Sequence, residues 1–214
     1  MSNFNITRIV TKIQELFGDK LDVSDVNGGD SNIESALKSR ALAAITVLIE
    51  TGKNKDVSAE FDIAINSVTD GYHDLGIDAI YCDETQKKLI LVQSKWHSNG
   101  QGSISHEEMS TFVGGIKRVL DGDLNGANDK IQRKTTEIET AISAIDYQIV
   151  CVFCHTGGQI SNDYARRPIL ELMTAINIDG AEAIVFRELL QSDFYSYLAK
   201  GVSSDSISID DVFC

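Results

Sequence analysis

Apolar residues recur at three- and four-residue spacing between positions 3 and 17, and again through Leu37, Ala41, Ala44, Ile45 and Leu48. That is the spacing of one buried helical face. Gly18 and Gly52 follow where a left-handed C-cap would end each helix. Residues 22–32 read as a polar loop, and Ser31-x-x-Glu34 has the form of a capping box for the second helix. A strand is predicted over 61–68. Two apolar runs follow, 77–82 and 89–95, joined by Asp83-Glu84-Thr85-Gln86, which has the length and chemistry of a hairpin loop. Ser105-x-x-Glu108 caps a further helix to about Leu120, although Gly114 and Gly115 inside it cost about 1 kcal/mol each. Residues 121–126 break it. Helices are predicted over 128–145, 162–176 (with a kink at Pro168) and 187–198, and strands over 148–154 and 181–186. The remainder from Gly201 is polar, with a short strand over 207–209.

Strands separated by helices imply an α/β, three-layer fold with a central mixed sheet, in which 148–154 joins in parallel through a long helical crossover. The chain shows no internal repeat and no linker-like tract, so residues 1–200 are expected to form a single domain followed by a polar tail, 201–214.

Polar residues at the ends of the two central apolar runs change the picture from architecture to chemistry. Side chains in a strand alternate faces, so Leu89, Leu91, Gln93 and Lys95 share one face, which begins as core and ends polar. Asp78 stands at the head of the preceding run. An antiparallel pairing brings the start of one strand beside the end of the other, which predicts Asp78 close to Gln93 and Lys95. A carboxylate, an amide oxygen and the Ser94 carbonyl can hold a hard divalent cation such as Mg²⁺ or Mn²⁺, and a neighbouring lysine can orient water and stabilise phosphate charge. Taken singly, these residues also have plain readings: Asp78 as a turn residue, Lys95 as an edge-strand charge, Gln93 as a partner for a neighbouring loop. Asp74 reads equally as a second acid at the metal or as a loop cap. Asp70-Gly71 reads as a turn.

The residues Thr69-Asp-Gly-Tyr-His-Asp-Leu-Gly-Ile-Asp78-Ala-Ile-Tyr81 and Val92-Gln-Ser-Lys-Trp96 resemble the N-terminal domain of the AIPR abortive-infection phage-resistance proteins. Those proteins are kin to the Mrr-like restriction endonucleases in the PD-(D/E)xK nuclease superfamily. The likeness is strong over 69–96 and weaker over about 32–160. It implies a restriction-endonuclease-like fold and a Mg²⁺- or Mn²⁺-dependent endodeoxyribonuclease that leaves a 5′-phosphate in phage defence, with Asp78, Gln93 and Lys95 as the site. Gln93 stands where the superfamily usually has an acid, which lowers the charge available to a metal and leaves room for a catalytically inactive recognition or assembly module as the alternative. Members often carry a glutamate on the preceding helix. Glu34 and Glu50 are the candidates, and at about 24 Å apart along a helix both cannot serve one site; sequence order favours Glu34. AIPR-like proteins are generally longer, so further C-terminal domains are expected partners, and double-strand cleavage implies a homodimer.

Composition tempers the DNA reading. Acidic residues outnumber basic ones 32 to 19, for a net charge of −13, whereas phosphate contact leans on lysine and arginine. Residues 86–134, however, carry eight basic and five acidic residues, leaving −16 for the rest of the chain. DNA binding by this domain alone is expected to be weak and salt-sensitive. No apolar run approaches a membrane span, and the N-terminus lacks a signal pattern, so a cytoplasmic protein with no membrane partner is expected. Cys151-Val-Phe-Cys154-His155 matches the spacing of a haem-attachment motif, but strand alternation puts its two thiols on opposite faces, as buried hydrophobes. His73 and His97 flank the candidate site and are read as idle loop histidines, and Trp96 as core.

Overall fold

The computed structural model describes residues 2–178 and 180–200. Eight helices and four strands are found among them, in the order α1 (Ser2–Phe17), α2 (Asp30–Thr51), α3 (Ser58–Ser67), β1 (Ala79–Asp83), β2 (Lys88–Lys95), α4 (His106–Leu120), α5 (Asp129–Gln132), α6 (Thr135–Ser143), β3 (Gln148–His155), α7 (Asp163–Ile176), β4 (Ile184–Leu189) and α8 (Gln191–Ala199). The sheet order is β1-β2-β3-β4. β1 and β2 form the antiparallel hairpin, and β2, β3 and β4 run parallel. Asp83 Oδ1 accepts from the amides of Thr85 and Gln86 and so closes the turn.

Both sheet faces are covered. Ile90, Val92, Val150 and Val152 point to a core filled by Ile13, Phe17, Leu42, Ile45 and Phe194, from α1, α2 and α8. Leu89, Leu91, Cys151 and Phe153 point the other way, to Met109, Phe112, Ile138 and Ile169 of α4, α6 and α7. This is the α/β three-layer arrangement with a mixed sheet. β2 and β3 are buried on both sides, which explains their long apolar runs, whereas the edge strand β4 is only partly covered. Cys151 and Cys154 lie in opposite cores. Burial pushes both thiols up, so they remain protonated small hydrophobes.

Several local expectations are corrected. Residues 61–68 form most of a helix, not a strand: Phe61, Ala64 and Ser67 are the buried positions, a three-residue spacing, and Phe61 packs on Phe17 with ring centroids 4.7 Å apart. The segment 128–145 is two helices, because Lys134 leaves helical geometry between them. β4 extends to Leu189, since Arg187 and Glu188 are held by side chains of other elements, and α8 starts only where Asp193 caps the Leu190 amide. The capping box at Ser31 does not form: α2 begins two residues earlier, after Gly29. The box at Ser105 does form. α7 continues through Pro168. The strand expected over 207–209 lies outside the described residues. No helix among the described residues is long and apolar enough to cross a membrane.

Gly115 shows why α4 tolerates a poor helix former. A Cβ there would overlap the carbonyl oxygen of Leu75, so the missing side chain lets the 70–76 loop lie directly on α4. Gly115→Ala is expected to lower stability by up to about 2 kcal/mol: overpacking costs about 1–3 kcal/mol, against a helix-propensity gain of about 1 kcal/mol. A urea midpoint equal to or above that of the parent would contradict the close contact.

Candidate metal centre

β-pairing places the site. Ala79 stands opposite Val92, and the Asp78 amide donates to the Val92 carbonyl at 2.7 Å, so Asp78 comes level with Gln93 as the hairpin register predicts. Asp78 is 5% exposed. Its Oδ2 accepts from the Ser94 hydroxyl at 2.6 Å, the Ser94 amide at 2.8 Å and Gln93 Nε2 at 3.1 Å. The Ser94 hydroxyl also lies 3.0 Å from the Ser39 carbonyl oxygen, which ties this corner to α2.

The loop before β1 brings two more carboxylates to Asp78. Oxygens of Asp70, Asp74 and Asp78 all lie within 4.8 Å of one another. Of the two roles the sequence allowed, Asp74 fills that of a loop cap, accepting from the amides of Gly76 at 2.8 Å and Gly71 at 3.2 Å, and its carboxylate also lies in the cluster. The loop is bent to do this. His73, Leu75 and Gly76 have positive φ of 63°, 63° and 72°, and two of the three are side-chain-bearing residues that disfavour this region. Strain of this kind persists only where surrounding contacts fix it. Here they include Asn128, whose amide donates to the His73 carbonyl at 3.0 Å and whose side chain donates to the Thr69 carbonyl at 2.8 Å.

Arg40 of α2 restrains the cluster from behind. Its side chain is 2% exposed. It donates from Nε to Asp70 Oδ2 at 2.6 Å, forks onto both oxygens of Asp25 at 2.7 and 2.9 Å, and reaches the Asp22 carbonyl. Burial works against its charge, but the bonds to Asp25 and Asp70 outweigh it and hold Arg40 protonated. Arg40 and Lys130 face four carboxylates, those of Asp25, Asp70, Asp74 and Asp78, which leaves about two negative charges when all four ionise. Two of these carboxyls, Asp78 and Asp74, are raised. Burial, then repulsion from Asp70 and Asp74, pushes Asp78 up to about 8, despite the opposing hydrogen bonds from Ser94. Burial also raises Asp74, against the amides of Gly76 and Gly71.

Asp78 therefore binds a proton in the folded state at pH values where the unfolded chain, near 3.8, does not. Its contribution to stability is complete below about pH 4 and is lost as pH rises through 8. With chelator present, the melting temperature should fall between pH 6 and 9, and Asp78→Asn should flatten that fall. Equal slopes in parent and variant would show that the carboxylates do not crowd one another.

The donor set suits a hard divalent ion. Oxygens facing each other across such an ion are about 4–5 Å apart, twice the metal–oxygen distance, close to the observed spread. A charge of +2 balances the cluster. Gln93 adds a sharper sign: its Oε1 is sealed from solvent and has no hydrogen-bond partner, although a buried acceptor without one costs about 1–3 kcal/mol. Here Nε2 faces Asp78 at 3.1 Å. Rotated half a turn, it would present Oε1 to a shared cation.

Two expected members stand apart. Lys95 is half-exposed and pairs with Glu108 Oε1 at 2.8 Å, not with Asp78. Glu108 is fixed in place because its other oxygen caps α4 through the Ser105 amide. Glu34 is exposed and pairs with Lys38 at 2.6 Å, so it does not join the carboxylates. Glu50 is spent on Arg187 at 2.9 Å. What α2 contributes instead is Arg40. The His73 and Tyr72 rings meet tilted at 59°, with centroids 4.0 Å apart. Trp96 packs against the α2-side core, with Lys38 Nζ 5.5 Å from its ring centroid.

A second buried polar group lies at the carboxyl ends of β3 and β4. Glu188 accepts from His155 Nε2 at 3.1 Å, from the Ser161 amide and hydroxyl at 2.7 Å each, and from Arg166 at 2.7 Å. Burial alone would raise this carboxyl, but these donors hold it down at about 2. The Gly157 amide donates to His155 Nδ1 at 3.1 Å. That leaves the proton on Nε2, so the imidazole is neutral and bonded at both nitrogens. This group pins the 156–161 loop to the sheet and has no spare capacity for chemistry.

Comparison with protein-family models, with curated proteins and with solved structures finds no match to this chain.

Proposed function

We propose that the chain is a metal-dependent endonuclease domain that hydrolyses DNA phosphodiesters, in keeping with the resemblance of residues 69–96 to the AIPR domain. The observation that carries the proposal is the convergence of Asp70, Asp74 and Asp78 at the mouth of the hairpin, beside a Gln93 oxygen with no partner. Asp78, Gln93 Oε1, Asp70 and Asp74 would hold Mg²⁺ or Mn²⁺, with the Ser94 amide and hydroxyl fixing Asp78. A bound divalent ion would supply Lewis acidity toward the phosphate and acidify a water. Lys95, half-exposed at the end of β2, would turn from Glu108 to meet the charge that develops on the non-bridging phosphate oxygens as water adds to phosphorus and the bond to the 3′ oxygen breaks.

The test is nicking and linearisation of supercoiled plasmid in Mg²⁺ or Mn²⁺. Lys95→Ala should slow cleavage by about 10²–10³-fold, the usual cost of one charge-stabilising donor, with no change in melting temperature beyond that of a surface ion pair, about 1 kcal/mol at most. Cleavage at the parent rate by the variant would remove Lys95 from the mechanism.

The pairing of Lys95 with Glu108 favours a second reading, a nuclease-fold module without catalysis in which that lysine only anchors α4. Binding of DNA with no cleavage in either metal would select it.

A further inference from the structure

Cations are scarce in this chain, yet one open groove gathers four of them. Lys20, Lys130, Arg133 and Lys134 line it, with Asp22 and Glu137 as its acids. Its net charge is positive on a protein of net charge −13. Lys20, Arg133 and Lys134 have no carboxylate oxygen within ion-pair distance among the described residues, although acids are abundant elsewhere. Lys134 is half-buried, and burial lowers its pKa, Glu137 opposing. Keeping an unpaired ammonium half-buried has a cost that a bound anion would relieve. The groove also leads somewhere. Lys130 Nζ donates to the Asp70 carbonyl at 2.7 Å and lies 3.7 Å from Asp25 Oδ2, so one wall of the groove is the outer side of the loop that carries the carboxylates.

We infer that this groove holds the phosphates of a nucleic-acid strand that flank the bond to be cut. The inference rests on the nuclease reading for the identity of the strand. Cations at the groove would offset the repulsion that this acidic protein otherwise presents to DNA, and the Lys130–Asp70 contact would set the register of the strand against the metal donors.

The test uses Lys20→Ala/Arg133→Ala, both positions being exposed, with Lys87→Ala/Lys117→Ala as an equal charge change away from the groove. Binding of a fluorescent single-stranded oligonucleotide is followed by anisotropy from 0.05 to 0.3 M KCl without divalent ions. Loss of two contacts should reduce the log–log salt slope by about 1.4, at about 0.7 per phosphate on single strands, and weaken binding about 25-fold at 0.1 M salt. The control should leave slope and affinity at parent values. A parallel RNA arm identifies the strand: losses shared by both support contacts to the phosphate backbone, and losses on DNA alone support a DNA track. An unchanged slope in the groove variant, or equal losses in the control, would overturn the proposal. Mn²⁺ titration of the groove variant separates the two claims. Parent-like metal binding with unchanged DNA binding removes the groove alone, whereas absence of metal binding in the parent removes the cleavage site and leaves the groove to stand on its own slope.

Discussion

Replacing Arg40 by leucine is expected to destabilise the protein by about 3–5 kcal/mol, the cost of removing one partner from a buried ion pair. The site makes the large end of that range reasonable. Arg40 is almost wholly buried and answers two carboxylates and a carbonyl at once. Without it, Asp70 loses its 2.6 Å partner while still facing Asp74 and Asp78. The fold and the site would fail together: the 70–76 loop, already held at four positive φ values, would lose the contact that pulls Asp70 inward. Chemical denaturation at pH 7 reads the effect directly. A loss below about 1 kcal/mol, the range of a surface pair, would mean that Arg40 is not the keystone described.

The second large effect is at Asp78. Asp78→Asn keeps the shape and an acceptor for the Ser94 hydroxyl and amide, but removes the charge most crowded by its neighbours. Cleavage should fall by at least about a thousandfold, and Mn²⁺ should no longer bind at concentrations that saturate the parent. Stability should move the other way. In metal-free protein above pH 8, where the parent must hold four ionised carboxylates against Arg40 and Lys130, the variant should melt at a higher temperature. A trade of function for stability at one side chain is expected where a site stores repulsion for a ligand to relieve. A packing defect would lower both.

Much of this was legible in the chain, for physical reasons that differ by element. The β1–β2 hairpin could be read because a strand's two-residue period, a turn of Asp-Glu-Thr-Gln and an apolar run ending in Gln93 and Lys95 all pointed one way, so Asp78 beside Gln93 followed from register alone. α3 could not, because Ile63, Ile65 and the following Val68 favour strands locally, whereas in the fold Phe61 packs on Phe17 from a helix. Asp70 was read as a turn residue because nothing local distinguishes Asp-Gly in a turn from Asp-Gly at a site. The spacing Asp70, Asp74, Asp78 was a signal, but the positive-φ path that makes those carboxylates converge is set by contacts to Asn128 and Gly115, distant in sequence. Arg40 was also available as a signal: it falls on the apolar stripe with Leu37, Ala41 and Ala44, where an unpaired charge would be untenable. Lys95 was placed on the correct face, but its partner, Glu108, belongs to a helix whose docking the strand sequence does not encode.

The carboxylate cluster is the centre of the account, and a direct measurement on it is calorimetric titration of Mn²⁺ into metal-free protein at pH 7 and pH 8, for the parent and Asp78→Asn. The parent should bind one ion, release close to one proton as Asp78 ionises, and bind several-fold more tightly at the higher pH; the variant should give no heat of binding. No binding by the parent at millimolar Mn²⁺, or equal binding by the variant, would contradict a metal centre at Asp70, Asp74 and Asp78.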